Sequence, residues 1–273
     1  MKKTAEELKQ LANTARREIL IMLNKAGSGH PGGSLSSIDI LITLYFSEMK
    51  VDASNPSWSD RDRFVLSKGH CAPALYTVLA MKGFFGMEEL PTLRAFGAIL
   101  RGHPISYATP GVEVCTGSLG QGLSQANGIA LGLNLDKKEN TRVYAVVGDG
   151  ECQEGMIWEA AMTASHRNLD NLCLFIDQNG LQIDGFVKDV KRVDPLVEKW
   201  KSFGWHTIEI NGHSFDEILS ALDEARSTKG KPTAIIANTV KGKGVSFMEN
   251  KASWHGVAPN NEELERALAE LAA

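Results

Sequence analysis

The sequence has little of what marks a membrane, secreted or nucleic-acid-binding protein. In 273 residues no apolar run approaches the ~20 residues that cross a bilayer, and no apolar core follows the basic start, as a signal peptide requires. The net charge of −4 does not favour nucleic acid or an anionic membrane as a partner. The four cysteines show neither CxxC spacing nor a disulfide framework. We therefore expect a cytoplasmic protein with reduced cysteines.

The common nucleotide-binding signatures are also missing. No GxxxxGK[ST] phosphate loop is present. The glycines at 27, 29 and 32 formally match GxGxxG, but they follow a predicted helix rather than a strand, and no acidic residue closes a βαβ unit. A dinucleotide site at these glycines is therefore disfavoured.

Predicted strands and helices alternate along the chain. Short apolar runs rich in β-branched residues predict strands at 64–67, 143–147, 172–176, 207–210 and 233–237. Apolar residues at helical spacing predict an opening helix, with its stripe from Leu8 to Leu23, and further helices that start near Ser34 or Ser36, start at about Leu123, and span 155–167, 215–226 and 261–271. This alternation is typical of an α/β fold with a doubly wound, mainly parallel sheet flanked by helices. Without internal repeats or a long linker, residues 1–273 are predicted to form a single domain.

The most informative segments are GDG at 148–150 and DQN at 177–179, each at the end of a predicted buried strand. If these strands are parallel neighbours, Asp149 and Asn179 emerge side by side at the carboxyl edge of the sheet, where open α/β sheets bind ligands. A carboxylate and an amide suit Mg²⁺ when phosphates supply its other oxygen ligands. The adjacent glycines let backbone N–H groups approach the anion. The pattern therefore predicts a metal–diphosphate site.

Four of the seven histidines lie beside glycine in predicted loops: His30, His70, His103 and His255. Neutral imidazoles can donate to phosphate or sugar oxygens and can move protons near neutral pH. We expect these four residues to act at the site. The other three, His166, His206 and His213, are predicted to be structural or exposed.

Seven segments appear in the order found in transketolases, and together they cover nearly the whole chain: SGHPG (28–32), LSKGH (66–70), GHP (102–104), PGVE (110–113), TGSLGQG (116–122), GDGECQEG (148–155) and DQN (177–179). The chain therefore resembles the transketolase family. This resemblance implies the thiamin diphosphate-binding fold and its diphosphate-binding domain. Ser118 stands where many full-length relatives have proline, and the 105–109 segment also departs from the family pattern.

The resemblance implies a role for each matching residue. Asp149, the side chain of Asn179 and the carbonyl of Leu181 would bind Mg²⁺, for which Ca²⁺ or Mn²⁺ can substitute. The catalytic residues would be His30, His103, His255 and Glu154, the last at an interface between protomers unless it only favours a helix N-terminus. Thiamin diphosphate would be held by His70, Gly117, Ser118, Leu119, Gly150, Glu151, Asn179 and His255. Cys152 is expected only to pack.

A typical transketolase is more than twice as long as this chain, and its second half activates the aminopyrimidine of the cofactor. We therefore expect this chain to be the N-terminal subunit of a split transketolase, in a two-plus-two assembly with a C-terminal subunit. The expected reaction is transfer of a two-carbon ketol unit between sugar phosphates in the pentose phosphate pathway. The alternatives are the same chemistry on a sulfonated or branched sugar in a catabolic pathway and, more remotely, a non-catalytic cofactor-binding subunit. A deoxyxylulose-phosphate synthase fragment is disfavoured by the segments at 66–70 and 116–122.

Overall fold

The computed structural model describes residues 3–272, in which helices and strands alternate. The helices are α1 (Ala5–Ala26), α2 (Pro31–Thr43), α3 (Ala72–Lys82), α4 (Gln121–Leu135), α5 (Gly155–His166), α6 (Val187–Lys191), α7 (Leu196–Ser202), α8 (Phe215–Ser227) and α9 (Asn261–Glu270). The strands are β1 (Arg63–Leu66), β2 (Val143–Gly148), β3 (Leu172–Gln178), β4 (Leu181–Gln182), β5 (Gly185–Phe186), β6 (His206–Asn211) and β7 (Thr233–Asn238).

Five of the strands form one parallel sheet in the order β1-β2-β3-β7-β6. Successive residues of a strand point to opposite faces, so the sheet has a hydrophobic core on each side. Val146 and Phe175 belong to the core with α1, α2, α3 and α8, whereas Val147 and Ile176 belong to the core with α4, α5 and α7. Burial on both faces explains why these strands appear in the sequence as continuous apolar runs.

The direction of the connections reverses between β3 and β7. The chain passes from β1 to β2 to β3 with α4 and α5 on one face, and from β6 to β7 with α8 on the other. Such a reversal leaves a crevice at the carboxyl edge of the sheet. The small antiparallel pair β4-β5 follows β3 at this edge. The fold therefore positions a site where β2, β3 and β7 end.

The predicted α/β class and parallel sheet are confirmed, and each predicted strand is present to within two residues. The second helix begins at Pro31 rather than near Ser34 or Ser36, because proline fixes a helical φ and needs no N–H partner in the first turn. The helix predicted from about Leu123 is α4, which begins at Gln121 after Gly120, whose φ is 85°. Patterning did not anticipate α3 or α7. Within residues 3–272, no helix is long and apolar enough to span a membrane.

Candidate active site

A cavity of about 290 Å³ lies at the carboxyl edge of the sheet. Its wall is formed by residues that follow β1, β2, β3 and β7 and by the start of α2. Asp149, Asn179 and Leu181 all line it, as the prediction of a shared edge requires. Five more predicted residues do the same: His30, His70, Gly117, Leu119 and Gly150. His255, Glu151 and Glu154 complete the predicted residues in the wall.

Asp149 follows β2 directly and is 3% exposed. Its Oδ1 accepts a hydrogen bond from Gly150 N (2.9 Å), and its Oδ2 accepts one from Gly180 N (2.7 Å). Burial, with the nearby Asp177 charge, raises the pKa of Asp149 to about 6 despite these bonds. Burial disfavours the charged form of this carboxylate, and a bound cation would favour it. Asp149 is therefore suited to binding a cation.

Asn179 and Leu181 follow β3 and are oriented by local hydrogen bonds. The Asn179 amide nitrogen donates to Asp177 Oδ2 at 3.0 Å, and its Oδ1 accepts from Leu181 N at 3.1 Å. The Leu181 carbonyl accepts a hydrogen bond from the Lys241 ammonium at 3.1 Å. Asn179 and Leu181 line the same cavity as Asp149, and an amide oxygen, a carbonyl oxygen and a carboxylate are all groups that bind Mg²⁺.

Lys68 is a cavity residue that the sequence analysis missed. It is 2% exposed, and its ammonium donates to Asp177 Oδ2 (2.5 Å) and to the Gly33 carbonyl (3.0 Å). Burial alone would lower the pKa of Lys68, but the Asp177 carboxylate outweighs it and raises the pKa well above its ordinary value. Lys68 therefore stays charged. A lysine that follows strand 64–67 directly was the available signal.

Lys241 is the second buried lysine that the sequence analysis missed. Its ammonium donates to the Leu181 carbonyl and to His255 Nδ1, the latter at 2.8 Å. Burial lowers the pKa of Lys241 to about 8. The Lys-Gly pair shortly after strand 233–237 was its sequence signal, since glycine marks the tight turns in which strand-end side chains meet ligands.

Three of the predicted histidines pack against one another. The ring centroid of His30 lies 5.2 Å from that of His70 and 5.4 Å from that of His255, and the last two are 5.2 Å apart. Burial lowers the pKa of His30 and of His70 to about 4, and burial with the Lys241 charge lowers that of His255 to about 3. All three are therefore neutral at physiological pH. Nδ1 of His30 is buried and has no hydrogen-bond partner within residues 3–272.

The other predicted site residues differ in their accessibility. Glu151 lines the cavity, but its carboxylate already accepts from Ser67 Oγ, Gly120 N and Gly148 N. Ser118 and His103 are exposed and lie outside the cavity wall, although His103 packs beside Gly117. Glu154 is the exposed N-cap residue of α5, and its side chain makes no capping hydrogen bond. The structure therefore separates a buried cofactor pocket from an exposed rim.

The pocket chemistry fits a diphosphate that carries a divalent cation. Two ammonium groups and three neutral imidazoles can face the anion, while Asp149, Asn179 and Leu181 offer oxygens to the ion. Among residues 3–272, no cluster of three His, Cys, Asp or Glu side chains could hold a metal ion by itself. The ion would therefore depend on phosphate oxygens for its remaining ligands, as Mg²⁺ commonly does.

Comparison with known proteins gives matches along nearly the whole chain. The sequence family described as transketolase, thiamine diphosphate binding domain, matches residues 8–272. The 6-deoxy-6-sulfo-D-fructose transketolase subunit SqwG of Clostridium sp. (strain MSTE9) is 48% identical over 97% of this chain and 96% of its own. An apulose-4-phosphate transketolase subunit of Phocaeicola vulgatus is 42% identical over 97% of this chain and 94% of its own.

Full-length transketolases match over less than half of their length. The transketolase of Homo sapiens is 40% identical over 97% of this chain, which corresponds to 42% of the human protein. The solved transketolase of Campylobacter jejuni superimposes with a TM-score of 0.93 at 35% identity, over 99% of this chain and 43% of that one. The solved transketolase of Leishmania mexicana superimposes with a TM-score of 0.92 at 32% identity, over 100% of this chain and 42% of that one.

Proposed function

Because this chain belongs to the family of transketolase thiamine diphosphate-binding domains, we propose that it is the diphosphate-binding subunit of a two-chain transketolase. The observation that carries the proposal is the match to named subunits of split transketolases over 96% and 94% of their own lengths. The cavity at the carboxyl edge of the sheet supports this proposal, because the charged groups that line it suit a diphosphate. The chain is accordingly a transferase subunit that acts with a complementary chain.

The proposed cofactors are thiamin diphosphate and Mg²⁺, with Ca²⁺ or Mn²⁺ as substitutes. Asp149, Asn179 and the Leu181 carbonyl would hold the ion, and Lys68 and Lys241 would offset the charge of the diphosphate. His70 and Gly150 lie at the same pocket and would hold the diphosphate through N–H groups. Gly117 and Leu119 would meet the rings of the cofactor, while Ser118 and Glu151 remain predicted contacts.

The bound cofactor supplies the carbanion chemistry that breaks and forms the C–C bond. The residues of this chain would bind and orient the cofactor and the sugar and polarise the reacting groups. His30 and His255 are neutral and close together at the cavity. His255 Nδ1 already accepts a hydrogen bond from the Lys241 ammonium, so its ring proton lies on Nε2, from which it can donate to a sugar hydroxyl, and His30 can donate from its own protonated ring nitrogen. His103 would contact the donor sugar from the rim. Glu154 is proposed to act at the interface with a second protomer.

The proposed substrates are ketoses outside the pentose phosphate pathway. Similar subunits are named for 6-deoxy-6-sulfo-D-fructose and for apulose 4-phosphate, so the expectation of a sulfonated or branched donor has better support than a role in the pentose phosphate pathway. In either case a two-carbon ketol unit would pass from the ketose to an aldose phosphate acceptor.

We also propose the assembly and setting of the protein. Residues 1–273 would form one domain, because both hydrophobic cores share one sheet. Two copies would pair with two C-terminal subunits, since soluble assemblies favour closed symmetry. A cytoplasmic location agrees with four free cysteines. No nucleic acid or membrane is needed.

The test is an assay of the chain mixed with its partner, Mg²⁺ and thiamin diphosphate. Ketol transfer would be measured to one aldose phosphate acceptor from three donors: a sulfonated ketose, a branched ketose phosphate and a linear pentulose phosphate. We expect a sulfonated or branched donor to give the highest kcat/KM. Preference for the linear pentulose phosphate would return the substrate to the pentose phosphate pathway, and no transfer from any donor would refute the proposed activity.

A further inference from the structure

The segment that carries Lys241 into the cavity, residues 240–244, is here named the lysine loop. Its backbone groups are bonded to distant parts of the fold and to the following turn. Gly242 N donates to the Gly32 carbonyl at 3.0 Å, Asn250 N donates to the Lys241 carbonyl at 2.9 Å, and Gly244 N donates to Glu249 Oε1 at 3.0 Å. The N–H of Val240, which begins the loop, is also bonded.

His213 provides the acceptor at the beginning of the lysine loop. Val240 N donates to His213 Nε2 at 2.8 Å, and His213 Nδ1 lies 2.7 Å from Asp39 Oδ2. Because a backbone N–H can only donate, Nε2 is the unprotonated nitrogen, and the proton of the neutral ring lies on Nδ1 and is donated to Asp39. Asp39 therefore selects the tautomer that can accept from Val240.

Arg16 ties this contact to the other end of the loop. Its guanidinium donates to Asp39 Oδ2 at 2.6 Å, and its Nε donates to the Lys243 carbonyl at 3.1 Å. The side chains of Arg16, Asp39 and His213 are 10%, 4% and 12% exposed. A shielded chain of contacts from α1 and α2 thus holds the loop on both sides of Lys241.

We propose that His213 is a positioning residue for the cofactor site: its Nε2 fixes Val240 and thereby places the Lys241 ammonium beside the Leu181 carbonyl and His255. His213 does not line the cavity, so it acts only through the loop. The inference rests on the proposed function, because it assigns Lys241 to the diphosphate. It differs from the sequence-based expectation, which gave His213 no part in the site.

The test is a double-mutant cycle on thiamin diphosphate affinity, measured by calorimetry on the chain with its partner and Mg²⁺. His213→Phe leaves the Val240 N–H without an acceptor, and we expect an affinity loss of about tenfold. In a Lys241→Met background, His213→Phe should lower the thiamin diphosphate affinity by less than about twofold, because the ammonium that His213 positions is already absent. His213→Gln offers an oxygen near the Nε2 position and should recover most of the affinity.

His206→Phe is the matched control, because His206 pairs with Glu224 at the surface and lies away from the lysine loop. The thiamin diphosphate affinity of the His206→Phe variant should equal that of the unaltered protein. An equal loss from His213→Phe in both backgrounds, or a His213→Gln variant as weak as His213→Phe, would overturn the positioning role. If the unaltered pair of chains bound no thiamin diphosphate, the proposed function itself would fail, and this inference with it.

Discussion

Single residues decide whether the cavity can hold a metal ion, and Asp149 supplies the only carboxylate proposed as a ligand. Asp149→Ala should lower Mg²⁺-dependent thiamin diphosphate affinity by at least about a hundredfold, because even outer-shell partners of metal ligands contribute about 10- to 100-fold. Calorimetric titration with the partner chain present measures this affinity. The exposed Asp189 gives the control variant Asp189→Ala. Near-normal affinity of Asp149→Ala would remove Asp149 from the metal site.

His103 lies on the exposed rim beside Gly117, outside the wall of the buried cavity. His103→Ala should therefore lower turnover of the ketose by about 10²-fold or more while changing cofactor affinity by less than about threefold. Steady-state kinetics and calorimetry on the same preparation separate the two effects. His30 lines the cavity, but its proposed contact is with the sugar rather than the diphosphate, so His30→Ala should also lower turnover more than it weakens cofactor binding.

The exposed His166 provides the comparison for these two variants, and His166→Ala should leave both quantities unchanged. A fall in cofactor affinity as large as the fall in turnover would reassign His103 to cofactor binding.

Asp39 predicts a pH dependence of stability. Burial favours its neutral form, but Arg16 and the hydrogen bond from His213 outweigh burial and hold the pKa of Asp39 below its ordinary value of 3.8. A lowered pKa means that this carboxylate stabilises the fold above about pH 4 and that the contribution is lost as the pH falls through the folded-state pKa. Asp39→Asn should therefore lower the free energy of unfolding by about 3 kcal/mol at pH 7, since it leaves Arg16 unpaired.

Urea unfolding at pH 7 and pH 3 tests this pH dependence. The difference in the free energy of unfolding between Asp39→Asn and the unaltered chain should be smaller at pH 3 than at pH 7. A difference that is independent of pH would mean that the variant acts through packing rather than through the charge of Asp39.

At the scale of elements, α4 approaches the end of β1 closely enough that a glycine is required. A Cβ on Gly122 would lie 2.5 Å from the Cβ of Ser67, whereas a Cβ on Gly128, on the same helix, would meet nothing within 4 Å. Gly122→Ala should lower the free energy of unfolding by about 1–3 kcal/mol through overpacking. It should also weaken cofactor binding, because it displaces the loop that holds Gly117 and Leu119.

Gly128→Ala is the control within the same helix. It should raise the free energy of unfolding by up to about 1 kcal/mol, because alanine has the higher helix propensity. Thermal or urea unfolding of the two variants gives the comparison. Equal effects of both substitutions would contradict the close approach of α4 to β1.

At the scale of the whole molecule, this chain is expected to be inactive alone. Its proposed contacts hold mainly the diphosphate end of the cofactor, while activation of the aminopyrimidine is expected from the partner chain. Adding the purified partner should raise ketol transfer from background, in an assembly with the mass of two copies of each chain by light scattering. Robust transfer by this chain alone, with contaminating transketolase excluded, would contradict the split enzyme.

The sequence by itself determined the five strands of the main sheet, their parallel arrangement and the shared edge for Asp149 and Asn179, although not the helices α3 and α7. These follow from local properties, since apolar runs, helical spacing and strand-end polar residues lie within short stretches of chain. The resemblance supplied the roles of the histidines, three of which the structure places in mutual contact.

Only the tertiary structure decided which charges enter the cavity and which histidine supports it from behind. Lys68 meets Asp177 across 109 positions of sequence, and His213 meets Asp39 across 174. Nothing in a local pattern distinguishes such a lysine or histidine from an exposed one, because the distinction depends on burial and on partners that the sheet order brings together. The sequence therefore places the site, and the packing of distant segments sets its charges and its tautomers.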